Sequence, residues 1–192
     1  MGSQEIWLVR HGETEWSRDH RHTSTTDLPL TPEGEQVARR LASPLARGFG
    51  LVLTSPMRRA RDTAALAGHG PAVVDRDLAE WGYGDYEGVT TAEIRESVPG
   101  WTVWTHSSPG GESAEQVSER LDRVVARLRD VDGDGLVFGH GHALRALTAR
   151  WLELPVTEGR HFRLDTATLC VLGYERETPV VLRWNAPADA HP

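Results

Sequence analysis

Ile6-Trp7-Leu8-Val9-Arg10-His11-Gly12-Glu13-Thr14-Glu15-Trp16 is the stretch from which the fold can be read. Ile6 to Val9 is a short apolar run, the pattern of a buried strand, and it leads directly into Arg10-His11-Gly12. A strand ending this way delivers a guanidinium and an imidazole to one point. Gly12 lets the backbone turn sharply behind the histidine, which leaves His11 at the carboxyl end of the strand, where open α/β sheets place their ligands. Phosphate chemistry suits the pair, because an imidazole nitrogen can attack phosphorus while a guanidinium holds the equatorial oxygens in a fork.

Working outward, strand and helix patterns alternate. A polar loop, Ser17 to Pro29, precedes Thr31-Pro32-Glu33-Gly34-Glu35, where Thr caps a helix, Pro takes its first position and acids favour its positive end. Val37, Leu41 and Leu45 are expected to form its apolar stripe. Leu51-Val52-Leu53 predicts a strand followed by a helix to about Ala67, and Val73-Val74 a short strand. Helices are predicted over Thr91–Val98 and over Ser113–Val131, the second burying Val117, Leu121, Val124, Val125 and Leu128. Leu136-Val137-Phe138 is a further buried strand, Ala143–Leu154 the helix after it, and two late strands lie near Thr168–Tyr174 and Val180–Trp184. This order predicts an α/β fold of three layers: a mostly parallel sheet, with an antiparallel edge, covered by helices on both faces.

The 192 residues fit one domain, 1–192, that can bury a core without disulfides. All 21 basic residues are arginine, which removes lysine-dependent phosphate loops, Schiff-base chemistry and lysine bases. A net charge of −7 argues against nucleic acid as a partner, so an anionic substrate must be drawn by a local basic pocket. No apolar run is long enough to span a bilayer, the start has no secretory pattern, and Met1-Gly2-Ser3 fits no myristoylation signal, so a cytoplasmic protein without membrane partners is expected. Cys170, the single cysteine, lies in the apolar run Thr168–Leu172 and reads as a structural thiol. Asp130-Val131-Asp132-Gly133-Asp134 imitates a calcium loop, but the twelfth position is Gly141 where a bidentate Glu is required, so a turn is expected.

Leu8-Val9-Arg10-His11-Gly12-Glu13-Thr14-Glu15-Trp16 resembles the signature of the histidine phosphatase superfamily, the phosphoglycerate mutase and acid phosphatase group. Three further segments resemble that pattern in order: Ser55-Pro56-Met57-Arg58-Arg59-Ala60-Arg61-Asp62-Thr63-Ala64, Glu80-Trp81-Gly82-Tyr83-Gly84-Asp85-Tyr86-Glu87-Gly88, and Gly139-His140-Gly141-His142-Ala143-Leu144-Arg145. The resemblance implies His11 as nucleophile, Glu80 as general acid, and His140 as the second histidine, which stabilises the transferring group. It implies Arg10 and Arg59 as phosphate ligands, Arg58 and Arg61 facing solvent by register. Thr23 falls on a phosphate-binding threonine, whereas Ser17 stands for a usual asparagine and Ser24 for a usual glycine. Gly141, His142 and Arg145 follow the second histidine at a helix start and are candidates for holding a distal hydroxyl or second phosphate. Asp85 and Glu87 are expected to fix their loop. His142, with His20 and His22, also invites a metal reading, but His-x-His without a nearby carboxylate or cysteine is a poor ligand set, and no metal or cofactor is expected.

The implied activity is phosphomonoester hydrolysis of a small phosphorylated metabolite through phosphohistidine. Mutases of the group carry an arginine after the acid and a long insertion; here Trp81 follows Glu80, and only Val89–Pro109 separates Gly88 from Gly110-Gly111-Glu112-Ser113. Both departures favour water as acceptor. The alternatives are a phosphoglycerate mutase, a protein phosphohistidine phosphatase, against which the tryptophans between Trp81 and Trp104 suggest a covered small-molecule pocket, and a binding domain without turnover. Within the superfamily, several segments resemble actinobacterial acid phosphatases and fungal sedoheptulose-1,7-bisphosphatases, although Leu154–Leu164 is shorter than in the fungal proteins. A homodimer is left open.

Overall fold

The computed structural model describes residues 4–189; Met1-Gly2-Ser3 lies outside them. Its six-stranded sheet comprises β1 (Ile6–Arg10), β2 (Leu51–Thr54), β3 (Val73–Val74), β4 (Gly135–Gly139), β5 (Leu169–Glu175) and β6 (Thr178–Ala186). The spatial order is β3-β2-β4-β1-β5-β6. Strands β3, β2, β4 and β1 pair in parallel, while β5 and β6 run antiparallel to β1 and to each other, respectively. The antiparallel edge is thus two strands wide, as a two-residue connection at Arg176-Glu177, with Arg176 at φ 58°, demands.

The helices are α1 (Glu15–Arg18), α2 (Pro32–Arg40), α3 (Arg58–Leu66), α4 (Thr91–Ser97), α5 (Ala114–Arg129) and α6 (Gly141–Trp151). Period-two alternation divides each central strand between two cores. Ile6, Leu8 and Val137 face Val117, Leu121 and Leu128 of α5 and Leu144, Leu147 and Trp151 of α6. Val9, Leu136 and Phe138 face the other layer, where Leu41, Leu45, Ala64 and Ala67 cover them. All five apolar α5 positions named from the sequence are buried, and so is the Cys170 thiol, which burial pushes up to about 12. Residues 130–134 form a turn in which Asp134 accepts from the Glu5 amide at 2.9 Å.

Two local expectations are corrected. Helix α2 stops at Arg40, so Leu41 and Leu45 enter the core from the following turns, Ala38 replaces Val37 as the buried helical position, and Pro44 bars continuation. Helix α6 begins two residues early, with His140 as its N-cap, and ends at Trp151. The reason for Gly12 also differs: it is absent from the positive-φ residues, so no left-handed turn requires it. Close approach does. A Cβ at Gly12 would lie 2.6 Å from the Gly34 carbonyl oxygen, and one at Gly34 would lie 2.3 Å from that of Glu13. Gly12→Ala is expected to cost about 2 kcal/mol through this overpacking, read as a lower midpoint in thermal denaturation; an unchanged midpoint would show that the two backbones can part freely.

Candidate active site

Arg10 of β1 is in register with Gly139 of β4, so the next residue on each strand, His11 and His140, stands at the same sheet edge. The His11 amide donates to the Gly139 carbonyl at 3.0 Å, and the two imidazole centroids are 5.2 Å apart. Nδ1 of His11 lies 2.7 Å from the Gly12 carbonyl oxygen. A carbonyl only accepts, so Nδ1 carries the proton and Nε2 keeps its lone pair. Burial, then the Arg59 and Arg10 charges, hold His11 well below the usual histidine range, so the ring is neutral at pH 7.

Arg59 enters from the first turn of α3 and is fully buried, while Arg58 and Arg61 are exposed, as register requires. Its Nε donates to His140 Nδ1 at 3.2 Å, and its Nη atoms donate to the carbonyls of Thr26 at 2.9 Å, Thr23 at 3.1 Å and Ser24 at 3.3 Å. His140 Nδ1 therefore accepts, and Nε2, 2.6 Å from Ser55 Oγ, carries the proton. Burial and the neighbouring cations hold His140 neutral too. Arg10 Nη1 donates to the Leu164 carbonyl at 2.6 Å, whereas its buried Nε has no partner among the described residues.

Glu80 faces these groups from the segment after β3. Oε1 accepts from the Trp81 amide at 2.9 Å and the Ala143 amide at 2.7 Å, and Oε2 from the His142 amide at 3.0 Å. Two of the three donors are the opening amides of α6, so one helix start places both His140 and the carboxyl. Three bonds fix the carboxyl plane and leave Oε2 one open lone pair. The cavity between, about 230 Å³, is lined by Arg10, His11, Glu80, Tyr83, Gly141, His142 and Arg145, with Ser17 and His20–Thr23 at its mouth. Arg59 and His140 do not line it; they lie under its floor.

The far wall is aromatic. Tyr83 Oη lies 2.5 Å from His142 Nδ1, His22 sits 4.6 Å from the Tyr83 ring, and the Arg145 guanidinium lies over Trp104 at 4.7 Å. Burial lowers His142 well below its usual range and His22 to about 4, so both rings are neutral at pH 7. The mouth loop spends its side chains on itself. Ser17 Oγ donates to the Thr14 carbonyl at 3.0 Å, and Thr23 Oγ1 to that of Arg21 at 3.0 Å. Glu87 clamps the loop by accepting from the amides of Ser24, at 2.9 and 3.0 Å, and Thr26, at 2.9 Å. Burial alone would raise the Glu87 carboxyl, but these bonds outweigh it and hold it below its usual value. Ser55, Tyr83 and the Leu164 carbonyl were given no role from sequence, and His22 was weighed only as a metal ligand; of these only Ser55, in Ser-Pro at a strand end, left a readable signal for the phosphate site.

Residues 6–187 match the family model of the histidine phosphatase superfamily, branch 1. An acid phosphatase of Mycobacterium tuberculosis is 44% identical over 90% of this chain and 88% of its own length. The sedoheptulose 1,7-bisphosphatase of Saccharomyces cerevisiae is 37% identical over 78% of this chain and 68% of its own. The solved structure of the open reading frame Rv3214 from Mycobacterium tuberculosis superposes with a TM-score of 0.93 at 41% identity, covering 96% of this chain and 98% of that one. A family model matched over nearly the whole described chain, and phosphatase relatives above 30% identity, show that the chain belongs to the histidine phosphatase superfamily and is a phosphoric monoester hydrolase.

Proposed function

We propose that this single-domain chain hydrolyses small phosphorylated sugars or sugar acids in the cytoplasm through a phosphoryl group carried on His11 Nε2. One observation carries the reading: a neutral histidine with its Nε2 lone pair free shares a cavity with Arg10, whose buried Nε lacks a partner among the described residues. Nε2 attacks phosphorus, the ester P–O bond breaks, and the departing alkoxide takes a proton carried on the open position of Glu80 Oε2. Glu80, now ionised, takes a proton from water as that water attacks the phosphohistidine, releasing phosphate and freeing Nε2.

Arg10 and the floor beneath it supply positive charge for the equatorial oxygens. For His140 to donate to the phosphoryl group, Nδ1 must gain a proton. The Ser55 hydroxyl permits this, since it can reverse and donate to Nε2 as Nδ1 turns from Arg59 toward the phosphate. Arg10, Arg59 and Arg145 form no ion pair among the described residues, and the Glu80 carboxyl that lines their cavity is the proton-bearing acid of the first step. A phosphate dianion is balanced by Arg10 and Arg59. Arg145 remains for a second anionic group, with Gly141 and neutral His142 beside it for hydroxyls. Ser17 and Thr23 act through the loop that holds Arg59 rather than by donating directly. The phosphatase names of the relatives support the substrate class, and no helix among the described residues is long and apolar enough to cross a membrane.

The test is Glu80→Gln. It is expected to lower kcat on an alkyl sugar phosphate by about 10²-fold or more, and on p-nitrophenyl phosphate by only a few-fold, because that leaving group departs without a proton. Equal losses on both substrates would remove Glu80 from the acid role.

A further inference from the structure

We propose that Arg120, clamped by Glu112, is a positioning residue for the proton-donating step: it holds the backbone of Asp77–Gly82 so that the Glu80 carboxyl meets the leaving oxygen. The proposal rests on the reading of Glu80 as the acid. Arg120 lies on α5, is 7% exposed, and finds an acceptor for all five of its N–H groups. Nε and Nη2 make a fork on Glu112 at 2.8 and 2.9 Å. Nη1 donates to the carbonyls of Asp77 and Ala79 at 2.7 and 2.8 Å, and Nη2 also to that of Glu80 at 3.2 Å. Glu112 in turn accepts from the Gly82 amide at 2.7 Å, its carbonyl accepts from Trp81 Nε1 at 3.0 Å, and its amide donates to the Gly82 carbonyl at 2.9 Å.

These bonds converge on one stretch. Ala79 to Tyr83 is neither helix nor strand, so its buried carbonyls need side-chain donors. Helix α5 does not depend on Arg120 for docking, because Val117, Leu121, Val124 and Leu128 already bury its inner face. The acid is thus held twice: its carboxyl from the front by three amides, its main chain from behind by one guanidinium and the carboxylate paired with it. Lysine cannot replace this, since a single ammonium cannot form the fork and also span three carbonyls. A displacement of about 1 Å in a catalytic group costs on the order of 10²-fold in rate.

The experiment compares Arg120→Lys, Glu112→Gln and Glu80→Gln on an alkyl sugar phosphate and on p-nitrophenyl phosphate, with kcat and KM resolved and folding checked by thermal denaturation. Arg120→Lys is expected to lower kcat on the alkyl ester by roughly 30-fold or more and on the nitrophenyl ester by less than about 3-fold, with KM little changed. Glu112→Gln, which keeps an oxygen for the Gly82 amide, should show the same split at about 10-fold. It decides the matter alone should Arg120→Lys fail to fold. Proportional losses on both esters, or none on either, while Glu80→Gln still discriminates between them, would overturn the positioning role alone. If Glu80→Gln itself fails to discriminate, the acid assignment falls and this proposal with it.

Discussion

His11→Ala is expected to lower turnover by about 10⁴-fold or more, the scale on which removal of a covalent nucleophile acts elsewhere. The loss should be that large because no neighbour can take over. His140 has Nε2 engaged by Ser55, and its Nδ1 either accepts from Arg59 or, turned toward the phosphate, bears a proton, so neither state offers a free lone pair to phosphorus. In the unsubstituted protein, rapid quenching with labelled substrate should trap a phosphoryl group on His11 that is labile in acid and stable in base. In the variant that label should vanish while circular dichroism remains that of a folded chain. Substantial turnover by His11→Ala, or a label surviving in it, would overturn the covalent route.

Stability is expected to fall steeply as the pH drops below about 6.5, the ordinary value for histidine. Burial is the first cause of depression at His11, His140, His142 and His22 alike. A depressed value in the fold means that the unfolded chain takes up protons which the folded chain refuses, so stability is lost as pH falls from the unfolded value toward the folded one. For His22 that window closes at about 4. The most deeply buried pair, His11 and His140, should together remove about 2.7 kcal/mol per pH unit within their window, a large share of an ordinary domain's stability. Denaturant titrations at pH 7, 6 and 5 measure this directly. A flat stability across that range would mean that the rings accept protons inside the fold. Glu87 adds a second loss at lower pH, where the carboxylate clamping Ser24 and Thr26 becomes protonated.

The strand-end placement of His11 and His140 was legible because each follows a contiguous apolar run. Arg59, marked by its resemblance to the family segment, was distinguished by helical register as the inward member beside exposed Arg58 and Arg61. Partner choice was not legible. Nothing in the letters shows that Arg59 spends its donors on the carbonyls of Thr23, Ser24 and Thr26, or that Arg120 reaches carbonyls about 40 positions away, because main-chain acceptors are the same at every residue. The hydroxyls of Ser17 and Thr23 were visible as donors, but not their capture by Thr14 and Arg21. Gly12 was read as a sharp turn, whereas the need for glycine there resides 22 positions along the chain, in the close approach of Gly34. The early end of α2 was signalled by Pro44, which the apolar spacing of Leu41 and Leu45 masked.

The register of β1 on β4 sets His11 beside His140 and ties both to the sheet centre, while Glu80, Tyr83, Trp81, Trp101 and Trp104 arrive on the connection between β3 and α5. The strand-end histidine and the carboxyl that faces it are therefore inherited on separate pieces of chain. Exchange of residues 76–112 as one cassette, carrying its own Glu80 and Glu112 onto an unchanged Arg120, would retune which ester is accepted without disturbing the phosphorylated histidine. Such a scaffold can diversify by trading connections, and it can do so without passing through an inert ancestor.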